Sequence, residues 1–433
     1  MFKIIRSSKL SLKFSNKSKL EELNSFINEY KRVANLYLDY IWDNNISNSY
    51  AKKDKIYTTK FNNQNHLELP IRLSTVNIDN KINLETTLTA RVSQCCLNQV
   101  LSIIRGLVEK QSKQQYIVGK LRAHKQKINR KLRKAVRNRP GKPNLDNLKP
   151  ELNINCIDFQ ETDNSFDAFV KLKSFTNEVR NKSINFPLKY HKTTNKWKSQ
   201  GKQLNSFLLS SNSIDIRFEI EKNLKTEGEI VGADQGIKDI LTLSDKQVTK
   251  KVDIHKHSLE TIMNKILRKK KGSKAFSKAQ THRKNFINWS INQLNLNNIK
   301  EIRFEKVKRL RFKSKTSRYM SHWTYTEIKD KLISKCQEAE VLLTEQSSIY
   351  RSQRCSTCGF VCKSNRKRKV YLCKNCGTEI DADYNASLNH QQDLPDVPWS
   401  LRKLNLNRKG FYWKPEGFFS LTGEEIIVPR SKN

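Results

Sequence analysis

Two Cys-x-x-Cys pairs stand near the end of the chain, Cys355 with Cys358 and Cys373 with Cys376. Each such turn offers two thiolates, and four thiolates bind zinc tetrahedrally. The stretch between the pairs is slightly shorter than the ~15–20 residues usual for this pattern. Gly359 and Gly377 follow the second cysteine of each pair, where a knuckle needs a tight turn. Cys362 is a spare thiol, expected not to be a ligand. A redox role is disfavoured, because there are two pairs and no thioredoxin-like setting. Immediately afterwards comes Asp381-Ala382-Asp383-Tyr384-Asn385-Ala386. Asp234 closes an apolar run, Ile230-Val231-Gly232-Ala233, and Glu305 follows Phe304 late in another. Three carboxylates on separate elements, Asp234, Glu305 and Asp383, are expected to converge at one end of a sheet. Such a set suits Mg²⁺, a hard ion that prefers carboxylate oxygens and retained waters. Two Mg²⁺ ions about 3.5–4 Å apart clamp the attacking and leaving oxygens of a phosphodiester. The chemistry expected is phosphodiester hydrolysis beside one structural Zn²⁺.

The elements that must position these groups can be read from periodicity. The run from Ile230 to Asp234 reads as a buried strand, Gln235-Gly236-Ile237 as a turn, and Ile240-Leu241-Thr242-Leu243 as the next strand, with a third suggested at Gln247 and Val248. This opening is similar to that of RNase H-like nucleases. A long basic helical region follows over residues 259–294, then strands at 299–307 and 341–344 around an amphipathic helix at 323–339. Asp383 opens a last helix. Strands alternating with helices after a meander predict a mixed α/β sheet.

The N-terminal half has no sharp motif. Residues 2–14 alternate as a strand, and Ser18 with Glu21 signals a capping box before a helix through Leu20 to Ile41. A polar stretch at 44–65 reads as a loop, and a second helix runs through Leu88 to Leu107. Residues 152–221 read as a small, mostly antiparallel β-domain, either a nucleic-acid-gripping barrel or a plain structural one. Between residues 110 and 142 there is no acidic residue. That run is either a phosphate-facing surface or a basic linker. Its candidate contacts are Lys120, Arg122, Lys125, Arg130, Lys131, Arg133 and Arg137, joined later by Lys269, Lys270 and Lys271.

Bulk properties agree with a polyanionic partner. The 433 residues carry a formal charge of +41, which costs self-repulsion unless phosphates neutralise it. No stretch approaches a membrane span, and no secretory core opens the chain. An odd count of 9 cysteines favours a reducing compartment over a disulfide framework, so a cytoplasmic location is expected.

Several segments together resemble the TnpB-like RNA-guided nucleases: Gly232-Ala233-Asp234-Gln235-Gly236-Ile237-Lys238, Phe304-Glu305, Tyr350 through Gly359, and Cys376-Gly377 through Ala386. The family includes transposon-encoded proteins and miniature type V CRISPR effectors. The ordered tail over residues 391–433 and the basic helical lobe tilt the resemblance toward the CRISPR effectors. It implies a multidomain α+β chain: a β-barrel-like wedge domain with an inserted helical recognition lobe, then an RNase H-like RuvC nuclease domain with an inserted zinc ribbon. The implied boundaries are 1–16 and 146–225 for the wedge, and 17–145 for the recognition lobe. The nuclease domain takes 226–350 and 381–433, and the target-binding zinc insert 351–380. Asp234, Glu305 and Asp383 would be its catalytic Mg²⁺ ligands, with Asp383 rather than Asp381 in the third position. Gln235 and Arg351 depart from the family pattern without removing a ligand. The partners implied are a guide RNA and double-stranded target DNA bearing a short flanking motif. Work as an asymmetric homodimer or as a monomer stays open. Two other readings are kept: a transposon-encoded nuclease, and a non-catalytic zinc-ribbon binding protein or guided repressor.

Overall fold

A computed structural model describes residues 1–43, 75–123, 128, 130–137, 140–173, 183–236, 239–306, 318–322 and 324–427. The chain forms two compact units that meet in sequence between Glu221 and Lys222.

The first unit, Lys3–Glu221, holds β1 (Phe2–Ser11), α1 (Lys17–Asp43), α2 (Thr75–Ile82), α3 (Ala90–Ala123) and α4 (Arg130–Arg137). The helix α1 begins one residue before Ser18, so Ser18 is helical and the capping box read from it does not form. The expected loop at 44–65 lies outside the described residues. Helices α1 and α3 bury one apolar stripe each, including Tyr30, Val33 and Tyr37 against Cys96, Val100 and Ile104. The β-region follows with β2 (Glu151–Asn153), β3 (Ile157–Glu161), β4 (Ala168–Lys173) and β5 (Ser183–Leu188). A short helix, α5 (Lys192–Gln200), precedes β6 (Lys202–Gln203), β7 (Ser206–Ser210) and β8 (Ser213–Lys222). The strands form one sheet of order β1-β8-β7-β2, with β6 also paired to β8, and a separate sheet β3-β4-β5. Neither sheet closes on itself among the described residues. The barrel-like expectation is therefore replaced by two open antiparallel sheets.

The second unit is built on β9 (Glu229–Asp234) and β10 (Thr242–Leu243). The expected third strand at Val248 is only an isolated bridge to Thr242. The basic helical region is two helices, α6 (Leu259–Leu267) and α7 (Lys274–Asn292), divided by the turn that carries Lys269, Lys270 and Lys271. Then come β11 (Ile299–Lys306), α8 (Arg318–Ser321), α9 (Tyr325–Glu338) and β12 (Leu342–Ser347). The sheet order is β10-β9-β11-β12, with β9, β11 and β12 parallel and β10 antiparallel.

Alternation along the strands divides the two faces of this sheet. Val231, Ala233, Ile302 and Phe304 point into the core formed with α6, α7 and α9. Gly232, Asp234, Arg303 and Glu305 are the intervening residues and point the other way. That face is covered by α10 (Ala382–Gln391), which follows β13 (Phe360–Val361), β14 (Arg366–Lys367), β15 (Val370–Leu372) and β16 (Glu379–Asp381). The chain ends with α11 (Trp399–Lys403), β17 (Phe411–Lys414) and β18 (Gly417–Phe419). β17 pairs with β13, so the tail joins the Cys-rich insert rather than the main sheet. Val361, Leu401, Phe411, Trp413 and Phe418 make a separate core there.

Gly232 sets how closely α10 approaches. A Cβ on it would lie 1.9 Å from the Ser387 carbonyl oxygen and 2.4 Å from the Gln391 nitrogen. No side chain fits, and the helix backbone cannot yield as a flexible side chain would. Gly232→Ala is expected to cost about 1–3 kcal/mol, the scale of overpacking. Urea unfolding would show this as a lowered midpoint, whereas an unchanged midpoint would mean that α10 does not seat on β9.

Candidate active site and Cys-rich insert

Asp234 ends β9 and Glu305 lies one residue from the end of β11. The parallel register pairs Phe304 with Ala233, so the next residues on each strand stand side by side on the face beneath α10. The helix supplies Asp383 and His390, seven positions apart and so on one face. Asp381 caps the helix, its Oδ1 accepting from the Asp383 and Tyr384 N–H groups at 2.9 Å each. Its carboxylate is spent there, while Asp383 is buried at 3% exposure.

Asp234, Glu305, Asp383 and His390 line one cavity of about 600 Å³, together with Gln235, Arg366, Arg368 and Lys369. Carboxylate oxygens of Asp234 and Glu305 and a ring nitrogen of His390 lie within 4.8 Å of one another. Asp383 lines the same cavity but is turned to cations of the insert. Arg366 Nη2 donates to its Oδ1 at 2.8 Å, and Lys369 Nζ pairs with its Oδ2. Lys369 also donates to Asp239 Oδ2 at 2.9 Å. Burial works against the Lys369 charge, but its bonds to Asp239 and Asp383 outweigh this and raise its pKa.

Burial pushes the Asp234 carboxyl well above the usual carboxylate range, and the charges of Glu305 and Asp383 add to this. Glu305 is pushed up to about 7, by burial first and then by Asp383, against a bond from the Gln235 backbone. His390 is lowered to about 3, by burial and by Arg351, so its ring is neutral. Two adjacent buried carboxylates that resist ionisation create a demand for positive charge. Two orphaned groups point to a ligand as well. The Gln235 amide nitrogen and oxygen and His390 Nδ1 are buried without a hydrogen-bond partner. The donor set, carboxylate oxygens with one imidazole, fits a divalent cation such as Mg²⁺ or Mn²⁺.

His390, Asp239, Arg366 and Lys369 were not among the sequence candidates. His390 sits where helical spacing from Asp383 alone could have found it. Lys369 and Arg366 were hidden in a basic stretch whose charges look interchangeable.

The four cysteines of the two pairs meet, with all Sγ atoms within 4.8 Å. Cys355 Sγ lies 3.6 Å from Cys376 Sγ, and Cys358 Sγ 3.7 Å from Cys373 Sγ. Thiolates around zinc at about 2.3 Å stand roughly 3.8 Å apart in a tetrahedron, so the spacing fits that ion. Each pair forms the same turn. Gly359 N–H donates to the Cys355 carbonyl at 3.0 Å and Gly377 N–H to that of Cys373 at 2.9 Å. Both glycines are left-handed, at φ +77° and +75°. Cys362 stands apart, its Sγ 3.0 Å from Ser364 Oγ.

A buried polar network joins insert to helix. Asn385 Nδ2 donates to the Arg354 carbonyl at 2.8 Å, and Asn385 Oδ1 accepts from the Ser356 N–H at 3.1 Å. Asn389 Nδ2 donates to the Arg351 and Arg354 carbonyls at 2.9 and 2.7 Å. Arg354 Nη1 donates to Asn389 Oδ1 at 2.5 Å. Arg351, the departure noted in the sequence, donates to the Ser347 and Asn389 carbonyls and lies over the Trp413 ring.

The basic candidates do not gather at this cavity. Lys120, Arg122, Arg130 and Arg133 are exposed on α3 and α4 of the first unit, and Lys270 and Lys271 are exposed on the α6–α7 turn, with Lys269 half-buried. Lys125 and the side chains of Lys131 and Arg137 lie outside the described residues. No described helix is long and apolar enough to cross a membrane.

Comparison with known proteins adds a family signal over part of the chain. Residues 325–390 match the family model "Cas12f1-like, TNB domain". A curated relative, the CRISPR-associated endodeoxyribonuclease Cas12f1 of Sulfoacidibacillus thermotolerans, is 40% identical over 74 residues, 17% of this chain and 18% of that protein. The Cas12f1 of Syntrophomonas palmitatica is 36% identical over 62 residues, 14% of this chain and 12% of that protein. The chain therefore matches less than a fifth of the length of either relative. Among solved structures, a Cas12f1–sgRNA–target DNA complex aligns with a TM-score of 0.48 at 14% identity, over 86% of this chain and 81% of that one. The mini-RNA-guided endonuclease CRISPR-Cas_phi3 aligns with a TM-score of 0.45 at 9% identity, over 90% and 92%.

Two outcomes are expected from the site. Folding raises the Glu305 pKa from its ordinary 4.5 to about 7, so the folded chain retains a proton that the unfolded chain releases. In chelator, this group's contribution makes stability fall as pH rises from about 4.5 to 7, and the loss persists above 7. Urea unfolding of Glu305→Gln should lack that component, and identical pH profiles for both proteins would contradict it. Divalent cation should restore more stability at pH 7.5 than at pH 5. Separately, Cys373→Ser should lose one zinc equivalent that survives dialysis in the parent protein. Metal analysis that finds that equivalent retained would exclude the Cys-rich turns as its site.

Proposed function

We propose that this chain, whose C-terminal half carries the Cas12f1-like segment of miniature type V CRISPR effectors, is an RNA-guided DNA endonuclease. The carrying observation is the meeting of Asp234 and Glu305 at the ends of parallel strands, under a helix that bears Asp383 and is bonded to a four-cysteine insert. The Cas12f1-like match favours the CRISPR branch over the transposon-encoded one.

In this reading Asp234, Glu305 and Asp383 hold catalytic Mg²⁺, and the four cysteines hold one Zn²⁺. Bound Mg²⁺ supplies Lewis acidity and a more acidic water for attack on phosphorus. Asp234 and Glu305 ionise as that charge arrives, reversing the effect of burial. Asp383, paired with Arg366 and Lys369, would turn to the cation for its counter-charge. Arg366 and Lys369, with Arg368, line the cavity and would then be available to a phosphate of the substrate. Neutral His390 adds a nitrogen donor at the same wall. Lys120, Arg122, Arg130 and Arg133 of the first unit grip guide or heteroduplex backbone, a contact that follows charge rather than sequence. Guide pairing reads the target, and protein reads a short flanking motif. The division into wedge, recognition lobe, nuclease domain and zinc insert belongs to the same reading.

The test is cleavage of a matched plasmid by protein purified with its co-expressed guide RNA in Mg²⁺. Asp234→Ala, Glu305→Ala and Asp383→Ala should each lower the rate by at least ~100-fold, the scale for loss of one transition-state contact, while RNA stays bound. Cleavage by Asp234→Ala at the parent rate would refute the site. Guided binding without cleavage by the parent would favour the repressor reading, and protein free of RNA would favour an unguided zinc-ribbon binder.

A further inference from the structure

Away from the acid cavity, a second set of metal-type donors gathers between the loop before α6 and the helix α7. The loop is a closed hairpin. Val252 and Ser258 form a bridge, Asp253 N–H donates to the His257 carbonyl at 3.0 Å, and Ser258 caps α6. Asp253 Oδ1 accepts from the N–H groups of His255 and His257 at 2.9 Å each. That fixes the carboxylate and leaves Oδ2 turned toward two imidazoles. His257 Nδ1 lies 3.4 Å from Oδ2, and His282 Nε2, carried by α7, lies 3.8 Å from it. The two rings meet edge to face, with centroids 4.9 Å apart. All three donor atoms fall within 4.8 Å of one another.

We propose that Asp253, His257 and His282 form a zinc-class metal site with an open fourth position. Tetrahedral ligands at about 2.0–2.1 Å from zinc stand roughly 3.3 Å apart; the carboxylate oxygen stands 3.4 Å from one imidazole nitrogen and 3.8 Å from the other, so small side-chain shifts bring the set to that spacing. Two imidazoles favour zinc and its neighbours over Mg²⁺, which prefers an all-oxygen shell. The side chains are 13%, 48% and 30% exposed, so an ion enters from solvent and keeps a coordination position for water. Bound metal would join the hairpin to α7 and so tie two segments of the nuclease-like unit.

The site does not depend on the nuclease reading, and its test reads metal rather than cleavage. Full-length protein is prepared with zinc in the Cys-rich insert and titrated with Co²⁺ in the visible range. The parent should bind one equivalent more Co²⁺ than His257→Ala or His282→Ala. The difference spectrum should show d–d bands without thiolate charge transfer. Cation taken up at Asp234 and Glu305 cancels in that difference. Asp253→Asn keeps the oxygen that closes the hairpin, so with zinc kept in the Cys-rich insert it should unfold at the parent temperature before further zinc is added, yet show a smaller upward shift than the parent when zinc is added. Equal Co²⁺ stoichiometry in parent and both histidine variants, or an equal zinc shift in Asp253→Asn, would overturn the proposal and leave a hydrogen-bonded Asp–His cluster only.

Discussion

The backbone of α10 rests directly on β9 at Gly232, and the rest of the acid cavity follows from that contact. The helix can approach only where the strand has no side chain. Once seated, its repeat carries Asp383 and His390 over the ends of β9 and β11, where Asp234 and Glu305 stand in register. The opposite face of the same strands is apolar and buried, so the strands cannot slip by one residue without exchanging core for acids. Close packing on one face and alternation on the other thus fix the relative positions of groups from three distant parts of the chain.

The Cys-rich insert is attached to that arrangement rather than appended to it. Asn385 and Asn389 bond the backbone just before and within the first cysteine turn, and Arg354 returns a bond to Asn389. Asn385 is two residues from Asp383, so the same helix turn positions an acid for the cavity and anchors the turn that presents Cys355 and Cys358. From the far side of the insert, Arg366 and Lys369 reach back to Asp383. Within the cavity, Arg366 and Lys369 are therefore paired directly with Asp383. Buried polar networks of this kind are costly if half satisfied. Around the cavity and the insert, the Gln235 amide and His390 Nδ1 are left without a hydrogen bond, as are Asp239 Oδ1 and Trp413 Nε1.

Much of this was legible in the residues alone. A short apolar run ending in Asp234 reads as a buried strand with an acid at its end, because its length and flanking turn leave little alternative. The cysteine spacing and the glycine after each pair specify a repeated turn that needs no tertiary knowledge. What escaped reading was long-range or weakly patterned. The pairing of β17 with β13 joins segments about fifty residues apart with no local signal of partnership. α5 has a polar sequence whose buried residues are Thr194 and Trp197, so periodicity could not reveal it. The break between α6 and α7 fell in a lysine-rich stretch that reads as continuous helix. His390 was obscured because a histidine on a largely buried helix face is more often core than ligand. Spacing places it on the face of Asp383, but its nearness to Asp234, more than 150 residues away, shows only in the fold.

We propose that Asp234 and Glu305 share one divalent cation. The most direct measurement is the anomalous difference density of Mn²⁺ in crystals of the protein. A peak is expected at bonding distance from a carboxylate oxygen of each residue, about 2.0–2.1 Å for a small divalent ion. Mn²⁺ bound elsewhere, with the two carboxyl groups facing each other and no peak between them, would contradict it.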